Sequence, residues 1–332
     1  MVLKTSIIES NRKIKERIST KLSGINEKSS NYIKDIITLI NKEIGVNKVL
    51  SILLFGSQRA KNKEEASKIS DCDLLIIFKD RVSNHHIKEI EKYFIALEIK
   101  HNFREFNKHI SKRILGVINQ TTGIFVSHFL TKKKYWEEVV FHKIFRVNKV
   151  FSSVFAPRNI VLGNVLLNSS VLYGDDLRER IRPKIQITTG EMFRSTVMNL
   201  MISLFSLAIS FLKNLKPTKY QLEAIKWALK SSNYYCFRDS EGLTRVSERF
   251  ISFERKKAQK KARRFFSEFL QLRKLPRNNM NFMIRCPLRI IKIHIRALLY
   301  KKLIKRKENL RISSERIKSR PIIPNHTFPL KI

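Results

Sequence analysis

The residues most suited to chemistry stand close together: Gly56-Ser57, a spacer of thirteen residues, then Asp71-Cys72-Asp73. The first pair ends the apolar run Leu53-Leu54-Phe55, and the second opens Leu74-Leu75-Ile76-Ile77-Phe78. Both runs have strand-like length. Residues i and i+2 of a strand point to one face, so Asp71 and Asp73 would present their carboxylates side by side. Paired carboxylates suit Mg²⁺, which takes hard oxygen ligands and commonly shares them with substrate phosphates. A Gly-Ser turn leaves backbone N–H groups open to a polyphosphate, because glycine removes the Cβ obstacle.

Gly-Ser, a spacer and Ser-Asp-x-Asp-Leu, in that order between apolar strands, resemble the active-site signature of the nucleotidyltransferase superfamily typified by DNA polymerase β. The resemblance implies attack by an acceptor hydroxyl on the α-phosphorus of a nucleoside triphosphate, with pyrophosphate leaving. Asp71 and Asp73 would hold two Mg²⁺ or Mn²⁺ ions that clamp the attacking and leaving oxygens. Gly56 and Ser57 would take the β- and γ-phosphates. Arg59, nearest the turn, would offset their charge; Lys61, Lys63 and Lys68 read as well as a solvated loop.

The superfamily's third carboxylate is missing from its expected place. The strand expected at Thr122–Leu130 holds no acidic residue, and between Asp80 and Glu137 the acidic side chains are Glu89, Glu91, Glu98 and Glu105. Two substitutes stand open. An unperturbed imidazole titrates near neutrality, so His128 could serve as a base, or be a structural histidine; Glu98 is the other candidate. Asp175 and Asp176 after Gly174 read as helix caps, and His85-His86 lack a partner at ligand spacing.

The positioning elements follow from periodicity. A helix is expected over 7–44 and closed by Gly45, strands at 51–55 and 74–78, and a helix from an Asn84 cap to Lys100. Beyond these come a helix at 157–168 and a Val171-Leu172-Tyr173-Gly174 strand, like the element that often closes this superfamily's catalytic domain. The fold expected is α+β: a nucleotidyltransferase core of a small mixed sheet with helices over 1–180, then a helical accessory domain over 181–254. A basic helical extension over 255–320 and an extended tail over 321–332 complete it. The accessory domain would hold an apolar helix at 191–212 and a second opened by a Thr218/Gln221 capping box. In the extension, Ala262, Phe265, Phe266, Phe269 and Leu270 mark one core stripe. Leu288, Ile291, Ile295, Leu298 and Leu299 mark another after Pro287, with Arg289, Lys292 and Arg296 beside it.

Charge is the second large fact. Lys and Arg outnumber Asp and Glu by 67 to 28, a formal net charge of +39. Residues 255–320 alone carry 23 Lys and Arg against three Glu. Such an excess suits a polyanion, RNA before DNA, although a lysine-rich solvated surface has the same composition. Three scattered cysteines, Cys72, Cys236 and Cys286, imply neither a zinc site nor a disulfide framework and fit a reducing cytoplasm. The N-terminal residues lack a secretory signal. Ser195–Leu212 carries no charge over eighteen residues, the lower limit for a span, but its serines suit a buried bundle helix, so no integral membrane segment is expected. Two functions compete: a metal-dependent nucleotidyltransferase, possibly acting on RNA, and a catalytically degenerate member of that fold that binds nucleic acid. A minimal transferase modifying a protein partner fits less well, because such proteins resemble only the first domain.

Overall fold

The computed structural model describes residues 18, 20–56, 72–104, 116, 123, 126–212 and 215–318, with side chains through 304 and at 306. Labels below number the described elements. Four strands, β1 (Val49–Phe55), β2 (Asp73–Phe78), β3 (His128–Lys132) and β4 (Ser170–Gly174), form one mixed sheet in the order β3-β2-β1-β4. β1 runs antiparallel to both β2 and β4, whereas β2 and β3 are parallel. The two central strands are apolar at successive positions because both faces of the sheet are covered.

One face packs on α1 (Glu27–Glu43) and α2 (Asn84–Lys100), where Ile33, Ile36, Ile40 and Phe94 meet Ile52, Leu54, Leu74 and Ile76. The other face, with Leu53, Phe55, Leu75, Ile77 and Phe129, packs on short helices. These are α3 (Lys133–Glu137), α4 (Phe141–Ile144), α5 (Lys149–Val154), α6 (Arg158–Asn168) and α7 (Arg178–Ile181). Trp136, fully buried, anchors this layer by donating its indole N–H to the Leu177 carbonyl at 2.9 Å.

The second core is helical. α8 (Thr189–Ala208, continued by a 3₁₀ turn at Ile209–Phe211), α9 (Thr218–Phe237), α10 (Leu243–Ser252), α11 (Lys256–Lys274) and α12 (Met280–Lys318) surround it. α9 is buried almost all round through Leu222, Ala224, Ile225, Ala228 and Leu229. Ile160 of α6 joins this core while Leu162, Val165 and Leu166 join the sheet core, so α6 is the hinge plate between the two units. The basic segment contributes Phe265, Phe266, Phe269, Phe282, Ile290 and Ile293 to the same core as α9.

Several elements depart from their sequence expectations for local reasons. The first helix does not run unbroken to Gly45, since residues 20–25 turn through Ser23-Gly24 and Asn26 caps α1 by accepting from the Ser29 N–H at 2.8 Å; residues 7–17 lie outside the described set. Ser83 rather than Asn84 caps α2, its hydroxyl accepting from His86 N–H at 3.0 Å. β3 covers His128–Lys132 and so runs two residues past the expected strand, held by its parallel register with β2. Thr218 is the first residue of α9, not its cap. Its hydroxyl accepts from Asn279 N–H, and Gln221 bonds to Ser203 instead of closing a capping box.

α12 differs most. It runs through Pro287, and its buried stripe is Phe282, Cys286, Ile290, Ile293 and Ala297; Leu288, Ile295, Leu298 and Leu299 face outward. Both stripes have helical spacing, so periodicity alone could not choose. The rotation is set by partners: Phe282 stacks on Phe265, and Arg289 and Arg296 both reach Glu254, at 3.0 and 3.1 Å.

Glu254→Ala would leave two half-buried guanidinium groups without their shared anion. It should lower the free energy of urea unfolding by about 3 kcal/mol, whereas Leu288→Ala on the exposed face should change it by about 0.5 kcal/mol or less. A second prediction concerns His294, enclosed by Asn199, Ser232 and Tyr235. Burial pushes its imidazole down to about 3, while an unfolded histidine titrates near about 6.5. Between those values the unfolded chain binds the extra proton, so stability should fall with pH by roughly 1.4 kcal/mol per unit in that window. Carboxylates held low by cationic partners, such as Asp35 and Asp176, add losses in the same direction at lower pH. Unfolding curves of His294→Gln should therefore be flatter between about pH 6 and about pH 4.5.

Candidate functional site

The site lies where β1 ends and β2 begins. Phe55 pairs with Asp73 in the antiparallel register, so the chain leaving β1 turns directly over the first residue of β2. Gly56 makes that turn at φ +80°, and a Cβ there would collide with the Asp73 carboxylate. Glycine is favoured twice over, by the left-handed backbone and because any Cβ would displace the Asp73 carboxylate. Asp73 and Gly56 are thus in contact. Ser57, Arg59 and Asp71 lie outside the described residues, as do Lys61, Lys63 and Lys68.

Alternation along the strands sends Asp73 to the same face as Phe55 and Phe129. There it lines a cleft between the sheet and the helical unit, walled by Phe141, Phe145 and Phe151 on one side and Met198, Ile202, Glu223, Lys226 and Trp227 on the other. The cleft encloses about 110 Å³, small beside the roughly 300–1,000 Å³ of ligand pockets. Glu223 is the second carboxylate of the cleft. Burial works to raise it, but Lys226 and Arg273 outweigh burial and hold it below the usual carboxylate range. Arg273 bonds it at 3.1 Å, and Lys226 pairs with its other oxygen. A carboxylate so held is a stable anion and a weak base.

His128 and Glu98 do not reach this cleft. His128 pairs in register with Leu74, so it projects from the opposite face, where its ring lies 5.1 Å from that of Phe94. Glu98 of α2 meets it there: the carboxylate is 2.7 Å from His128 Nδ1 and accepts from Ser127 N–H at 3.2 Å. Both are buried. The pair joins α2 to the edge strand and stands across the sheet from Asp73, which removes both as neighbours of the Asp73 carboxylate. Asp176 serves the backbone, accepting from Arg178 N–H at 3.1 Å and pairing with the Arg178 side chain. Among the described residues no group of three or more His, Cys, Asp or Glu is placed to hold a metal ion. The hard oxygens of Asp73 have the right chemistry for Mg²⁺ or Mn²⁺ as part of a larger ligand set.

Sequence reasoning missed Glu223, Lys226 and Trp227. Their signal was present: charged residues at i and i+3, with an aromatic at i+4, on a helix otherwise buried all round.

No family model matches this sequence, and no curated protein matches it. Among solved structures, the chain is similar to spectinomycin adenyltransferase AAD(9) from Enterococcus faecialis, in a crystal structure with ATP and spectinomycin. The likeness has a TM-score of 0.47 and 9% identity, and covers 80% of this chain and 98% of that one.

Gly56→Val tests the contact that defines the site. It should destabilise the fold by about 2 kcal/mol or more through backbone strain and displacement of Asp73. Gly24→Ala, where nothing lies within 4 Å, should leave thermal unfolding within about 0.5 kcal/mol of the parent.

Proposed function

We propose that the chain is a metal-dependent nucleotidyltransferase of the DNA polymerase β-like superfamily, moving a nucleoside monophosphate from a nucleoside triphosphate to an acceptor hydroxyl. The observation that carries this reading is the Gly56 turn lying against the Asp73 carboxylate at the mouth of the cleft. In this reading Asp73 and Asp71 would supply oxygen ligands for Mg²⁺ or Mn²⁺, which when bound would supply charge stabilisation to the transferring phosphoryl group. Gly56 and Ser57 would orient the triphosphate through backbone N–H groups and the Ser57 hydroxyl, and Arg59, close in sequence, would offset its charge. The cleft admits one end of the acceptor. Glu223, fixed as an anion by Lys226 and Arg273, orients it by accepting hydrogen bonds and does not take its proton. Catalysis then rests on positioning and charge, as phosphoryl transfer generally does.

The acceptor class that the net charge of +39 favours is RNA. The scattered cysteines Cys72, Cys236 and Cys286 suit a reducing cytoplasm. The second reading, a degenerate scaffold that binds nucleic acid without transfer, is favoured by the position of His128 and Glu98 across the sheet from Asp73.

One assay separates the two. The purified protein is incubated with each α-labelled triphosphate, Mg²⁺ or Mn²⁺, and total RNA. Transfer of label is expected, and Asp73→Ala and Asp71→Ala should each lower it by roughly a hundredfold or more with the fold intact. RNA binding without any transfer would establish the second reading. In either case binding should weaken steeply as salt rises, because each phosphate contact releases counterions.

A further inference from the structure

Helix α8 turns a row of polar residues inward, beside the core residues Met192 and Ile202, and a row of apolar residues outward. Ser195, Asn199, Ser203 and Ser206 are buried. They meet Ser231, His294, Gln221 and the Pro217 carbonyl at 3.0, 3.2, 2.6 and 2.6 Å. Outward stand Phe193, Leu204 and Phe211, exposed by 69%, 51% and 82%. Half-buried Val197 and Leu200 continue that stripe at helical spacing. A helix on the surface of a water-soluble bundle shows the reverse polarity. Small and hydroxylated residues between helices, with bulky apolar ones outside, is how helices pack in lipid.

α12 lies antiparallel beside it, since Asn199 meets His294 and Met192 meets Lys301. Its outward stripe is also apolar: Ile284, Leu288, Ile295, Leu298 and Leu299 are all 40% exposed or more. The two outward stripes lie on neighbouring helices. Bulky apolar side chains left exposed in rows, rather than scattered singly, mark an interaction surface.

Charge decides between occupants. Lys292 stands exposed beside the α12 stripe, and Lys302 and Arg306 are exposed just beyond it. A second copy would bring a second set of these cations to the same interface, which like-charge repulsion opposes. An anionic bilayer meets both the apolar stripe and the cations. Thr189–Phe211 is long and apolar enough to cross a bilayer, yet its inner side is bonded to α9 and α12, so it presents one face only. We propose that the outward face of α8 and α12 lies in the plane of an anionic phospholipid bilayer, apolar side chains in the acyl boundary and Lys292, Lys302 and Arg306 among the headgroups.

The test is co-sedimentation of the full chain with vesicles of phosphatidylcholine alone and of phosphatidylcholine with phosphatidylserine, alongside sedimentation velocity without lipid. Binding is expected to the anionic vesicles and to be at least tenfold weaker to the neutral ones. Leu204→Glu/Leu288→Glu should abolish it. Lys292→Ala/Lys302→Ala should lower partitioning roughly thirtyfold, given the surface attraction per cation. All four positions are exposed, and circular dichroism checks that each variant is folded. Leu288→Trp supplies an independent measurement, since its fluorescence should be quenched by brominated acyl chains. No binding to anionic vesicles at low salt would overturn the proposal. So would binding that the glutamate variant leaves unchanged, or self-association without lipid that this variant disrupts, which would assign the face to a second copy.

Discussion

The antiparallel pairing of Phe55 with Asp73 is the constraint on which the rest of the site depends. It ends β1 at the point where β2 begins, so the exit turn must pass over the Asp73 carboxylate. Positive φ favours glycine there, and a Cβ would have to push the Asp73 carboxylate aside. Every other wall of the cleft is placed relative to that point. β3 sets Phe129 beside it, and α6 carries the helical unit to the far side, where α9 presents Glu223 and Lys226.

The two faces of the sheet have different tasks. On the face away from the cleft, Glu98 and His128 form a buried pair between α2 and the edge strand. Buried polar groups need such partners, because each left alone would carry its full desolvation penalty. On the cleft side the charged groups are likewise balanced, Glu223 by Lys226 and Arg273. The effect is a cleft in which Glu223 stays ionised and fixed in place.

The helical unit distributes its charge unevenly. Residues 255–320 hold 23 Lys and Arg, yet Arg273, Arg289 and Arg296 are spent inside the bundle on Glu223 and Glu254. Net charge therefore overstates the cations open to a partner. Those that remain exposed, such as Lys292, Lys302 and Arg306, lie along or beyond an apolar stripe, so electrostatic and hydrophobic contributions act on one surface.

Local chemistry made part of this legible. The apolar runs ending in Phe55 and Phe78, the breakers at Gly45 and Gly174, and the phenylalanine stripe of α11 are short-range signals, and the elements form where these signals put them. The pairing of Gly56 with Asp73 was legible because both flank a single loop. What stayed illegible depended on partners distant in the chain. His128 could be read as a base beside the aspartates or as a structural histidine, and its parallel pairing with Leu74 puts it on the other face. α12 carried two apolar stripes of equal period, and the choice between them fell to Phe265 and Glu254, far back along the chain. Amino-acid order determined which segments are helix or strand and which residues could meet across a turn. Tertiary packing decided which side of each element is inside, because burial is set by the neighbours an element finds rather than by its own periodicity.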